Sequence, residues 1–301
     1  MTAAVHAFPD DAAPAGRFAE ALGLPLRLIT AHRFPDGESR PGVDAAGGGT
    51  AVLYRSLANP DAKLMPLLLA ADALRRAGVD RVDLVAPYLP YMRQDRVFAP
   101  GEPLSQAVMG RILGGAFDRV LTLEAHLHRT PDLDRVFPDR AVLNLGGGEV
   151  LARALSRLRP WIDLVAGPDS ESAPWAGTVA DRLGAGVLVA RKIRRGDREV
   201  DVQYAEDLRL KGAHVALVDD ICSTGGTLAA AARALKAAGA ARVTAAVVHG
   251  LHDGATARRL AASGVDRLIA TDSVPGPGRR LPVAEALAGA WRELDARPDP
   301  A

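Results

Sequence analysis

The chain has 301 residues, of which 48% are hydrophobic and 24% charged, an ordinary globular composition that excludes a disordered, collagenous or coiled-coil protein. Lys+Arg is 37 against Asp+Glu 36, a formal charge of +1, so there is no broad electrostatic footprint for nucleic acid or for an anionic membrane. Cys222 is the sole cysteine, which excludes a disulfide-stapled fold.

No apolar run reaches the ~18 residues of a membrane span, and the opening MTAAVHAFPDD has no cationic stretch followed by an apolar core. The expectation is a soluble, cytoplasmic protein of about two domains. In chain order, the runs Thr50–Tyr54, Val82–Ala86, His214–Val218 and Val243–Val248 read as strands. They alternate with Ala/Leu/Arg segments of helical period, which predicts an α/β fold with mainly parallel sheets flanked by helices.

A pattern of helix, glycine, a short gap, arginine and strand recurs at Gly78/Arg81, Gly115/Arg119, Gly239/Arg242 and Gly264/Arg267. Each glycine suits a left-handed residue ending a helix. The segment ALRRAGVDRV (73–82) is similar to ALKAAGAARV (234–243). The spacing predicts two similar domains, 1–145 and 146–301, with the turn signal Asn144–Gly148 at their junction. The C-terminal tail is able to pack on the first domain, and ARPDPA (296–301) reads as frayed.

The polar motifs follow the same order. Arg33-Phe34-Pro35-Asp36-Gly37-Glu38 reads by itself as an acidic turn. After the strand 82–86 comes a loop with Arg93, Gln94 and Asp95, then Gly101-Glu102-Pro103-Leu104-Ser105. There Arg93 can clamp phosphate oxygens and Gln94 can bond a nucleotide. A strand is expected to end at His126, in Leu123-Glu124-Ala125-His126-Leu127-His128, and another at Gly167-Pro168-Asp169. Arg191-Lys192-Ile193-Arg194-Arg195 concentrates cations at a strand exit, and Lys192 is one of only four lysines in the chain.

The strongest signal is ALVDDICSTGGTLAAAARAL (216–235). An apolar strand is expected to end in Asp219-Asp220, followed by a loop carrying Ser223, Thr224, Gly225, Gly226 and Thr227 and then a helix. Glycines let backbone N–H groups approach an anion, hydroxyls add donors, and the helix N-terminus favours negative charge. The acidic pair would repel a phosphate, so it suits sugar hydroxyls or Mg²⁺. The Gly-Lys-Ser/Thr ending of a Walker loop is absent.

Together these motifs resemble, in order from about Phe34 to Leu294, the ribose-phosphate pyrophosphokinase branch of the type I phosphoribosyltransferase fold. The resemblance implies transfer of the diphosphoryl group of ATP to the 1-hydroxyl of ribose 5-phosphate, giving phosphoribosyl pyrophosphate and AMP for nucleotide biosynthesis. It implies Lys192 and Arg194 as catalytic groups on a mobile loop. ATP would be held by Phe34, Asp36, Gly37, Glu38, Arg93, Gln94 and Asp95, with the 34–38 turn serving a neighbouring subunit's nucleotide. That makes a homo-oligomer, at least a dimer, the expectation. Ribose 5-phosphate would lie on Asp219, Asp220 and 223–227, and Mg²⁺ would be contacted by His126 and Asp169. Strand register favours His126 over His128. The chain departs from common relatives at Glu124, at Arg129–Asp132 and at Ser170-Glu171-Ser172. A nucleobase phosphoribosyltransferase and a non-catalytic regulatory homologue are the alternative readings.

Overall fold

Short Val-, Leu- and Ala-rich runs that are apolar on both faces bury well only between two helical layers. In the computed structural model they do so twice. The structure describes residues 3–44, 47–127, 130–158, 161–194, 200–204, 210–278 and 280–298, with the side chains of 191–194 and 200–202 left out. The chain divides into two compact units, one of Met1–Leu145 with Pro282–Ala301 and one of Gly146–Leu281.

The first unit contains β1 (Ala3–Ala7), α1 (Ala12–Leu22), β2 (Leu26–Leu28), β3 (Thr30–Arg33), β4 (Ser39–Gly42), β5 (Thr50–Tyr54), α2 (Pro60–Arg76), β6 (Arg81–Ala86), α3 (Ser105–Ala116), β7 (Arg119–Leu123) and β8 (Ala141–Leu145). Its sheet has the order β2-β1-β5-β6-β7-β8, all parallel. The second unit contains α4 (Gly147–Leu155), β9 (Leu164–Gly167), α5 (Ala173–Leu183), β10 (Gly186–Val189), β11 (Arg191–Arg194), β12 (Val200–Gln203), β13 (His214–Cys222), α6 (Gly226–Ala237), β14 (Arg242–Gly250), α7 (Gly254–Ala262), β15 (Arg267–Thr271) and β16 (Arg280–Leu281). Its sheet, β10-β9-β13-β14-β15-β16, is also all parallel and repeats the strand order of the first. In each unit an antiparallel hairpin, β3–β4 or β11–β12, is inserted between the second and third sheet strands. Among the described residues no helix is long and apolar enough to cross a membrane.

One helix breaks chain order. The C-terminal α8 (Ala284–Asp295) packs on α1, β7 and β8 of the first unit, the docking expected for the C-terminal tail, so the second unit ends at Leu281 and not at 301. The helix buries Leu287, Trp291 and Leu294, and polar pairing adds to this apolar face. Buried Arg119 donates to the Leu294 carbonyl at 2.6 Å, and Arg297 to the Val142 carbonyl at 3.1 Å. In the second unit the helix α4 lies beside α5 and precedes the first strand, whereas in the first unit α1 is joined by a helix from the far end of the chain.

Three of the four junction glycines are left-handed, at φ +83°, +99° and +97° for Gly78, Gly239 and Gly264. Gly115 differs, because its gap to the arginine is one residue longer and it falls inside α3, which Phe117 ends in an extended conformation. The glycine run at the domain junction is also less of a turn than expected. Gly147 and Gly148 already belong to α4, and Gly146 alone joins it to β8.

Candidate functional site

In the second unit, β13 is longer than its sequence suggests. Asp219 and Asp220 do not end the strand, because the ladder to β14 continues through Ile221↔His249 and Cys222↔Gly250. The paired carboxylates therefore stand on a rigid central strand, and the loop proper begins at Ser223. Gly225 caps α6 in the left-handed region at φ +67°, where a Cβ would lie 3.0 Å from the Thr256 methyl. A side chain is excluded there by backbone and packing alike. Gly226 and Thr227 are the first helical residues, and no side chain caps this N-terminus. Ser223 and Thr224 are exposed beside it. Uncapped N–H groups next to open hydroxyls make an anion cradle at the carboxyl end of a parallel strand.

Negative charge gathers behind the cradle. Burial, then the neighbouring Asp220 and Asp169 carboxylates, pushes the Asp219 carboxyl well above the usual range. Asp169 follows β9 by two residues and is the N-cap of a single helical turn, not the strand end. Its carboxylate accepts from the N–H groups of Glu171 at 3.1 Å and Ser172 at 3.3 Å, and Ser172 Oγ closes a capping box. The Ser170-Glu171-Ser172 departure thus fixes the acid's orientation. Such a carboxylate-rich spot suits a divalent cation. Among the described residues, no three His, Cys, Asp or Glu side chains form a closed cage, so an ion here would complete its shell with water and phosphate oxygens.

Tyr204 is a neighbour that no sequence motif marks. Its hydroxyl donates to the Gly167 carbonyl at 3.4 Å, and burial, then Asp169, raises its phenol pKa. The contact spans 37 residues, too far for any local pattern to show it.

In the first unit, Phe34–Glu38 is the turn of the β3–β4 hairpin, closed by Phe34 N–H to the Glu38 carbonyl at 2.8 Å. Gly37 has φ +96°, and the Asp36 carboxylate accepts from Glu38 N–H at 3.1 Å. Phe34 meets His32 edge-on at 4.6 Å, and Arg40 lies 5.5 Å over its ring. Further along, the strained Tyr91 (φ 65°) opens the Arg93-Gln94-Asp95 loop. Ser105 Oγ bonds the Gln94 amide oxygen, and Gln106 N–H donates to the Gln94 carbonyl at 3.2 Å. The later Gly-Glu-x-x-Ser segment therefore fastens this loop. Arg93 is exposed, with no bonded partner among the described residues.

The strand before His126 ends early. Leu123 is the last residue of β7, and Glu124 turns the chain at φ 41°. Ala125 N–H donates to the Asn144 side chain at 2.8 Å, leaving His126 half-buried in the turn beyond. His128 lies outside the described residues, as do the side chains of Lys192 and Arg194, whose backbone forms β11.

Comparison with known proteins covers most of the chain. A phosphoribosyl transferase domain model matches residues 148–274, and a model of the N-terminal domain of ribose phosphate pyrophosphokinase matches residues 10–116. Ribose-phosphate pyrophosphokinase of Methanopyrus kandleri is 36% identical over 280 residues, 92% of this chain and 94% of that protein. The Thermococcus kodakarensis protein of the same name is 34% identical over 265 residues, 88% and 92% of the two. The crystal structure of phosphoribosylpyrophosphate synthetase from Mycobacterium smegmatis superposes with a TM-score of 0.81 at 26% identity, over 98% of this chain and 99% of that one.

Proposed function

This chain belongs to the ribose-phosphate pyrophosphokinase family, and on that premise we propose how its residues divide the work. The enzyme moves the diphosphoryl group of ATP onto the 1-hydroxyl of ribose 5-phosphate, releasing AMP and forming phosphoribosyl pyrophosphate. The observation that carries the assignment of parts is the cradle after β13, uncapped and hydroxyl-lined beside paired carboxylates.

The N–H groups and hydroxyls of 223–227 hold the 5-phosphate. Asp219 and Asp220 accept from the ribose hydroxyls and so fix the 1-hydroxyl for in-line attack on the β-phosphorus. Transfer of this kind rests on alignment and charge stabilisation more than on covalent chemistry by the protein. Lys192 and Arg194 meet charge developing on the β-phosphoryl oxygens and on departing AMP. Phe34 stacks on adenine while Asp36, Gly37 and Glu38 accept from its amine, and Arg93, Gln94 and Asp95 hold the remainder of the nucleotide. Asp169, beside the β13 acids, and His126 are the residues that would contact Mg²⁺, which supplies neutralising charge to the phosphates. The exposed residues 35–38 of the turn support a homo-oligomer, at least a dimer, and the reading is of a cytoplasmic enzyme.

The test incubates the protein with ATP, Mg²⁺ and ribose 5-phosphate and quantifies both products. Sugar-dependent formation of AMP and phosphoribosyl pyrophosphate in equal amounts, lost in Lys192→Ala, is the expected result. A folded chain that binds ATP without turnover overturns the division of roles.

A further inference from the structure

Arg280 opens the edge strand β16 and turns its side chain over Gly250, the last residue of β14. Its Nη1 donates to the Gly250 carbonyl at 3.2 Å. Nε and Nη2, which together form one edge of the guanidinium, are shielded from solvent and meet no acceptor. A guanidinium does not shed its proton in a protein. This is therefore a fixed positive charge with an unused two-donor edge, the edge that pairs bidentately with two oxygens of one anion.

The surroundings are shaped around that side chain. A Cβ on Gly250 would lie 2.0 Å from Nη1 and 2.9 Å from His252 Cε1, and a Cβ on Gly276 would lie 2.1 Å from Nη2. Both glycines are required by close approach. His252 is only 6% exposed, and its Nδ1, bonded to that same Cε1, has no partner. Burial, then Arg280, lowers the His252 pKa, so the ring is neutral and Nδ1 is able to donate a third hydrogen bond. The other charged groups facing the cluster leave the edge unclaimed. Asp253 caps α7 through Thr256 N–H at 2.8 Å, Cys222 is held as a thiol because burial pushes it to about 11, and Asp272 accepts from neither Nε nor Nη2.

We propose that Arg280 and His252 form an oxyanion subsite for a phosphate group at the carboxyl end of β14 and β15, one strand over from β13 and built from residues other than those of the 223–227 cradle. The exposed segment 275–278 covers it, and Gly276 leaves the room that Nη2 needs. Three donors on two side chains fit a tetrahedral anion better than a planar carboxylate. The subsite does not depend on the catalytic assignment above.

Binding is measured on the full chain without ATP or Mg²⁺. Thr224→Val with Thr227→Val weakens the 223–227 cradle by removing two of its hydroxyls, and inorganic phosphate is titrated by calorimetry. Saturable binding is expected to remain in that variant. On the same background Arg280→Lys keeps the charge but removes the two-donor edge, and is expected to weaken binding ~10-fold or more. Gly276→Ala sets a methyl against Nη2 with no change of charge and is expected to do the same, with circular dichroism verifying the fold of each. Competition by ribose 5-phosphate would assign the subsite to a phosphomonoester, and its absence to free phosphate. Loss of saturable binding in the cradle variant, equal affinity in Arg280→Lys and Gly276→Ala, or tighter binding of acetate than of phosphate overturns the proposal. Failure of the synthetase reading would show separately, in the product assay of the unmodified chain.

Discussion

The two units share a strand order but use the crest of their third strand differently. In the first, β5 runs into Arg55, whose guanidinium is buried, bonded to Asp11 at 3.0 Å and to Asp10, and stacked 4.2 Å over Phe8. Lys63 donates to the Ser56 carbonyl at 2.6 Å beside them. Two cations and two carboxylates settle one another in place. In the second unit the same position holds Asp219 and Asp220. Burial and the Asp220 and Asp169 carboxylates, not a cation, dominate the surroundings of Asp219, and Ser223 and Thr224 beyond it are exposed. The scaffold offers each half a site at the carboxyl end of its sheet. Among the described residues the first crest is closed by paired charges, and the second leaves its carboxylates beside an uncapped helix N-terminus.

That contrast is open to attack at several points. The largest effect is expected from Arg55→Leu, which strands the fully buried Asp11 and should cost about 3–5 kcal/mol in chemical denaturation. A loss below about 1 kcal/mol would mean that the first crest is no lock. Next come the hairpins. Lys192→Ala in β11 should lower kcat roughly 10²–10³-fold, whereas Phe34→Ala in the β3–β4 turn should act mainly through the KM for ATP. Equal kcat losses would erase the distinction between them. Asp219→Asn removes one of the crowded carboxylates. It should raise the melting temperature by about 2–4 °C while suppressing sugar-dependent turnover, and a drop in melting temperature would contradict the charge argument.

The smallest effect is a pH dependence within the first unit. Burial, then Arg27, holds His6 down at about 4. Its stabilisation is complete above about pH 6.5 and is lost as pH falls through 4. Burial pushes the Asp83 carboxyl up to about 6 despite Arg81 and Arg119. Its contribution is complete below about pH 4 and fades as pH rises through 6. The two slopes oppose each other. Asp83→Asn should therefore make acidification from about pH 6.5 to about pH 4 more destabilising, by on the order of 1 kcal/mol. An unchanged slope would remove Asp83 from the account.

What is legible in the sequence is whatever is local. Apolar runs locate β5, β6, β13 and β14, and the glycine-spaced loop after β13 announces an anion cradle through its composition alone. The end of β13 is harder to read, because two carboxylates resemble a strand exit although Asp220 is only 3% exposed within the ladder. The β11–β12 hairpin is hidden because a cation-rich segment looks the same in a solvated loop. Tyr204, the Arg55 network and the Arg280 edge are invisible for another reason. Each joins residues far apart in sequence, and single-residue patterns carry no pairing information. The helical period of 284–295 tells which face is apolar, not which unit it covers.

The attachment of α8 has a consequence for synthesis. The face formed by α1, β7 and β8 stays uncovered until a ribosome has also completed the whole second unit, Gly146–Leu281. Domains generally fold as units while the chain emerges. Here the half that begins first is finished last, and the nascent chain must carry exposed apolar surface until α8 arrives. A stalled or truncated product ending before Pro282 would present that surface permanently, which marks it for chaperones and proteases rather than for partial activity.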